Sequence, residues 1–205
     1  MFRLYLLIAS LTAGLVAGGT AAAQTPSQAP APTFETFVNG FFQQARWQSG
    51  RSSIPSKYRR RIVDFKGTQR PGTIVVDTKH RLLYLVLDGG KAIRYGVGVG
   101  RAGFNWKGKA TIQRKAEWPG WTPPPAMRKR EPWLPAYMPG GPENPLGARA
   151  LYLYKGGKDT LYRIHGTNQP STIGQAVSSG CIRMLNSDVE DLYNRIRIGA
   201  RVVVL

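Results

Sequence analysis

The feature that most constrains this 205-residue chain is a succession of short apolar runs cut by glycine. Thr73–Asp77, Arg81–Leu87, Lys91–Val99, Ala110–Ala116, Leu151–Lys155, Thr160–His165, Gly180–Met184 and Arg201–Leu205 are rich in β-branched, aromatic and aliphatic residues. Each is short enough for a strand. Asp88-Gly89-Gly90 and Gly156-Gly157 lie between successive runs, which reads as two hairpins. The 24 glycines and 15 prolines supply the turns. A chain punctuated in this way is expected to be mainly β.

One good helix interrupts the strands. Ser187-Asp188-Val189-Glu190 has the form of a capping box, and the helix it predicts runs to Ile196 and stops before Gly199. Its apolar face is Val189, Leu192, Tyr193 and Ile196. A second helix is expected near the N-terminus, where Phe34, Phe37, Val38, Phe41, Phe42 and Ala45 share one face after Thr33 as N-cap. Its polar face (Glu35, Asn39, Gln43, Gln44) carries no lysine or arginine, so it is expected to pack on protein rather than on lipid.

The first 23 residues read as an export signal. Arg3 precedes the apolar run Leu4–Val16, which is too short to span a bilayer comfortably, and small residues lead to a cleavage point after Ala23. An uncleaved anchor is the weaker reading. Residues 24–33 form a Pro/Ala-rich linker, 34–70 the N-terminal helix and a basic segment, and 71–205 the main domain. The chain is therefore expected in the periplasm or cell envelope, peripheral to a membrane at most.

A net charge of +18 draws a polyanion towards the protein. Arg59-Arg60-Arg61 reads as a solvated face, open to acidic envelope polymer. Nucleic acid is not expected as a partner, because no reading element or zinc spacing accompanies the charge. Gly98-Val99-Gly100-Arg101-Ala102-Gly103 has the spacing of a dinucleotide fingerprint, but turn and strand follow it rather than a helix. Trp106, Trp118, Trp121 and Trp133 lie in a Pro-rich stretch. A sugar-stacking groove is conceivable there; for Trp118 and Trp121 the preferred reading is packing of a stiff loop against the sheet.

Chemistry concentrates between Arg163 and Leu185. This stretch holds Cys181, the single cysteine, and His165, one of two histidines. An exported chain with one cysteine has no internal disulfide partner for it. Thiol and imidazole together suffice for acyl transfer. Ser178-Ser179-Gly180 brings small residues up to the thiol, so that backbone N–H groups could form an oxyanion hole. Arg183, two positions on, shares a strand face with Cys181; its guanidinium would lower the thiol pKa or grip a substrate carboxylate. His80 belongs to a turn and is expected to be exposed. No cofactor is expected, and a metal fits poorly: one Cys and two His cannot fill a zinc site without carboxylates. Ser178 or Ser179 as nucleophile is the weaker alternative.

Ile164-His165-Gly166-Thr167-Asn168 followed by Ser178-Ser179-Gly180-Cys181-Ile182-Arg183-Met184 resembles the signature of the L,D-transpeptidase catalytic domain family (YkuD-type). The likeness extends upstream to Pro71–Asp77, Tyr95–Gly100 and Asn144–Gly147. Many members have His where this chain has Ser179. The resemblance implies a β-sandwich with a short capping helix and, as substrate, the stem peptides of peptidoglycan. Cys181 would attack the bond between the diamino acid and D-alanine, forming a thioester that an amine of another stem resolves as a 3-3 cross-link. His165 would be general base and acid. Arg183 would orient substrate or assist the oxyanion, together with the N–H groups of Gly180 and Cys181. Ser179 or Gly166 would steer the imidazole. Resolution by water or by an envelope protein's lysine uses the same acyl-enzyme; a non-catalytic wall-binding module is the remaining alternative.

Overall fold

A computed structural model describes residues 54–104 and 106–205. The expected export signal, the linker and the Phe34 helix lie outside the described residues. The strands are β1 Arg61–Asp64, β2 Ile74–Asp77, β3 Leu82–Val86, β4 Lys91–Gly96, β5 Val99–Gly100, β6 Gly108–Glu117, β7 Arg149–Lys155, β8 Lys158–His165, β9 Ala176–Ser178, β10 Ile182–Arg183 and β11 Arg201–Val204. Two short helices accompany them, α1 Pro125–Arg130 and α2 Asn186–Arg195. The chain is mainly β, and both expected hairpins form, as β3–β4 and β7–β8.

Nine strands make one mixed sheet in the order β1-β4-β3-β2-β11-β6-β7-β8-β10. Residues from both halves of that order share one core: Ile74, Leu83 and Tyr95 from one half, Ile112, Leu151, Ile164 and Ile182 from the other. The sheet is thus folded onto itself as a sandwich, and α2 adds Val189, Leu192 and the following Ile196 to the core. A short bridge stitches the ends together. Gly98 donates to the Arg183 carbonyl at 2.9 Å, and Arg183 N–H to the Gly98 carbonyl at 2.8 Å. This matters for function, because it clamps the end of the two-residue β10, which follows Cys181.

Leu151 is fully buried at the centre of the β7 contribution. Leu151→Ala is expected to lower unfolding free energy by about 2–5 kcal/mol, the usual cost of lost contacts plus a cavity. Urea denaturation monitored by tryptophan fluorescence measures it.

Four sequence expectations change. Residues 54–64 do not stand outside the domain. Tyr58, in a 3-10 turn Ser56–Tyr58, packs with Ile54, Ile173 and Leu185, and β1 pairs along β4. The arginine run is not simply a solvated face: the Arg60 guanidinium lies 3.1 Å from Asp191 and 3.6 Å from Asp188 on α2. The capping box gives way to a helix that begins two residues earlier, at Asn186 rather than Asp188. Its N-cap is Leu185, which makes no side-chain cap. Finally, of the two tryptophans expected to pack the Pro-rich loop, Trp118 is 43% exposed and Trp121 is half-buried. That loop is held instead by a backbone bridge between Trp121 and Met138. Trp106 does pack, stacking on Tyr162 with centroids 5.2 Å apart.

Candidate active site

The site grows from the parallel pairing of β8 with β10. Ile182 lies opposite Ile164, and Arg183 opposite His165. The two isoleucines point into the core. Side chains alternate along a strand, so Arg163, His165, Cys181 and Arg183 share the other face. The register sets Cys181 diagonally across from His165, the Cys181 thiol donates to the Leu161 carbonyl at 4.0 Å, and the charges of Arg163 and Arg183 act on both thiol and imidazole.

His165 ends β8 and is only 4% exposed. Its Nδ1 lies 2.6 Å from the Gly166 carbonyl. A carbonyl only accepts, so Nδ1 carries the proton and Nε2 is left bare. Burial, reinforced by the Arg183 charge, holds the ring pKa down to about 4, although the Gly166 and Leu146 carbonyls pull the other way. At neutral pH the imidazole is uncharged and able to accept a proton.

The Gly166 carbonyl is itself positioned. Gly166 N–H donates to the Arg149 carbonyl at 3.0 Å. A Cβ at Gly166 would run into the Asn186 Oδ1 and approach Ala148 N to 3.0 Å, so only glycine fits. Asn186 Oδ1 accepts from Ala148 N–H and Thr167 N–H, both at 3.1 Å. It ties the start of α2 to the loops on either side of the imidazole. Asn186→Ala leaves two backbone donors unpaired and is expected to destabilise by about 2–4 kcal/mol. Asn186→Asp, which keeps the acceptor, is expected to recover most of that in the same denaturation measurement.

Cys181 sits between β9 and β10, partly exposed and free of disulfide. Its approach is shaped by Ser178, whose hydroxyl donates to the Cys181 carbonyl at 2.6 Å and accepts from Gly180 N–H at 3.2 Å. Gly180 has φ +110°, and a Cβ there would strike the Tyr162 ring and come within 2.9 Å of the Phe104 carbonyl. Because Ser178 already occupies the Gly180 N–H, that group is not a free oxyanion donor, contrary to the sequence expectation. Cys181 N–H has no partner among the described residues. The thiol also differs from expectation. Protein packed around the sulfur pushes its pKa up, and this outweighs the Arg163 N–H and the Arg163 and Arg183 charges, which favour thiolate. The resting pair is therefore neutral thiol and neutral imidazole.

Arg183 is held through its backbone by Gly98, and its Nη1 is 3.4 Å from Gln169 Oε1. Among the described hydrogen bonds, none joins Ser179 to the imidazole; the groups that reach the ring are the backbone carbonyls of Gly166 and Leu146. His80 lies apart, 63% exposed, with Nδ1 2.6 Å from Asp77. Among the described residues no three His, Cys, Asp or Glu side chains gather to hold a metal. Sequence reasoning missed Arg163 and Asn186. Alternation could have flagged Arg163, two positions before His165; nothing local signals that Asn186 serves distant loops.

A sandwich carrying Cys, His and Arg on adjacent parallel strand ends defines a class, and comparison with known proteins agrees. The chain belongs to the L,D-transpeptidase catalytic domain family, YkuD, whose model matches residues 71–204. It is 40% identical over 146 residues to Escherichia coli (strain K12) "Probable L,D-transpeptidase ErfK/SrfK", a match covering 67% of this chain and 45% of that protein. The chain thus spans about half the length of such relatives. The L,D-transpeptidase-named ORF 5 product of the ATP synthase subunits region of Fuscovulum blasticum is 34% identical, with 96% of both chains covered. A crystal structure from Brucella melitensis, described as a probable carnitine operon oxidoreductase caia, is 51% identical with TM-score 0.51, covering 77% of this chain and 99% of that one. The Enterococcus faecium L,D-transpeptidase, at 17% identity and TM-score 0.51 over 66% of this chain and 50% of that one, shares the fold.

Proposed function

We propose that this protein is an exported peptidoglycan L,D-transpeptidase. The observation that carries the reading is a neutral imidazole, fixed by the Gly166 carbonyl, on the same sheet face as a partly exposed thiol. Cys181 Sγ attacks the carbonyl carbon between the diamino acid and D-alanine of a stem tetrapeptide, and its proton passes to His165 Nε2. Cys181 N–H and the Arg183 guanidinium face the developing oxyanion. The imidazolium then gives its proton to the departing D-alanine nitrogen, the C–N bond breaks and a thioester remains. A side-chain amine of a second stem attacks that thioester and passes its proton to His165, which returns one to the sulfur. The product is a 3-3 cross-link.

The basic surface suits an acidic wall polymer, and the N-terminal signal suits delivery to the periplasm. Incubation with tetrapeptide stems tests the proposal: D-alanine is released and a dimer of the expected mass appears. Release no greater than that of Cys181→Ala refutes it. A hydrolysed tripeptide alone would instead mark water as acceptor, and a wall-linked protein would mark a lysine.

The oxidoreductase activity by which the Brucella melitensis structure is described finds no support in the Gly98–Gly103 run of this chain. It forms β5 and a turn ahead of β6, with no helix starting inside it to meet a pyrophosphate.

A further inference from the structure

That same glycine-spaced run builds one wall of the site, and it brings two arginines together. Arg101 N–H donates to the Ser178 carbonyl at 3.0 Å, and Phe104 N–H closes a turn onto the Arg101 carbonyl at 3.0 Å. The turn is therefore fastened to β9, just before the nucleophile. Phe104 in turn lies over Gly180, its carbonyl 2.9 Å from where a Cβ would stand. Two guanidinium groups converge on the Phe104 ring. Arg101 lies 4.5 Å from its centroid and Arg130, at the end of α1, lies 5.2 Å from it.

Neither arginine has a carboxylate within salt-bridge distance among the described residues; Arg130 reaches only the Ala126 carbonyl, at 3.0 Å. Two like charges held on one ring without a counter-ion repel each other, and an anion placed between them relieves that repulsion. Contact with the ring restrains both side chains, which lowers the side-chain entropy lost on binding.

We infer that Arg101 and Arg130, braced on Phe104 beside Gly180, form a clamp for a carboxylate of the donor stem peptide. This rests on the peptidoglycan reading above and adds a substrate-recognition element to it. Its brace, Phe104, packs on Gly180, the residue just before the nucleophile. The clamp discriminates donors by the negative charge they carry next to the bond attacked, and it takes no part in bond making.

The test measures binding rather than turnover, so it does not depend on the catalytic reading. The full chain bearing Cys181→Ala is titrated with three synthetic tetrapeptide stems: one with all carboxylates free, one amidated at the C-terminus, and one amidated at the internal carboxylate. Binding is followed by calorimetry. The same titrations are run with Arg101→Gln and Arg130→Gln added. The free-acid stem is expected to bind about tenfold more tightly than one of the amides. The double substitution is expected to abolish that preference, and the amide that binds weakly identifies which carboxylate is held. An acid-over-amide preference that survives both substitutions, or equal affinity of the parent for all three stems, overturns the clamp. Loss of the Cys181 acyl adduct in the separate turnover assay would count against the reaction and not against this subsite.

Discussion

Cys181→Ala is expected to abolish D-alanine release and cross-link formation, by at least about a thousandfold in kcat. The sulfur supplies the only covalent handle in the proposed sequence of steps. No other side chain on that face can form a thioester: Arg163, His165 and Arg183 are its companions. Ser178 cannot take over, because the residue is 3% exposed and its hydroxyl is engaged both with the Cys181 carbonyl and with Gly180 N–H. The fold should survive, since alanine removes one partly exposed atom and leaves the β8–β10 pairing intact. Circular dichroism and the denaturation midpoint check this. Activity within tenfold of the parent would mean that another group does the chemistry.

His165→Gln is expected to lower kcat/KM by about 10²–10⁴. It also changes two pH dependences in stated directions. With the ring held neutral down to about pH 4, the acid limb of kcat/KM should fall near pH 4 rather than near the ordinary histidine value of 6.5. The same shift is a stability statement. The folded pKa lies below the unfolded one, so the unfolded chain binds the extra proton between them. This contribution is fully present above pH 6.5, is lost as pH falls towards 4, and amounts to about 3 kcal/mol. The glutamine variant should lack that component of the acid sensitivity. Unfolding free energies measured at several pH values between 4 and 7 separate the two proteins. An acid limb at pH 6.5 in the parent would show that the imidazole is not desolvated as described.

Much of the fold was readable because its signals are local. The runs around Leu83, Ala92, Leu151 and Val202 announce strands by composition, and Gly156-Gly157 announces the β7–β8 turn. Elements held by distant partners escaped. β1 is a polar edge strand, and its register with β4 cannot be read from Arg-Ile-Val-Asp. β5 and β9 are two and three residues long and exist because Arg101 and Gln175 find partners across the sequence. Ser187 and Glu190 have the right spacing for a capping box, but spacing does not reveal that the helix starts at Asn186. At the site, residue types pointed to Cys181, His165 and Arg183, and strand alternation explains why they meet. Their protonation states could not be inferred, because these depend on how closely the surrounding chain excludes water. A guanidinium two positions away suggested a lowered thiol pKa, and burial reverses that. The use of Gly180 N–H was likewise hidden, since the Ser178 hydroxyl could have faced elsewhere.

The central claim is that the sulfur becomes acylated by a stem peptide, and intact-mass spectrometry of the full chain reads that step directly. After brief mixing with a stem tetrapeptide and acid quench, the account predicts a gain equal to the tetrapeptide less D-alanine. The adduct maps to Cys181, is absent from Cys181→Ala and is released by hydroxylamine. An unchanged mass under conditions where D-alanine is being released, or an adduct that persists in Cys181→Ala, would contradict it.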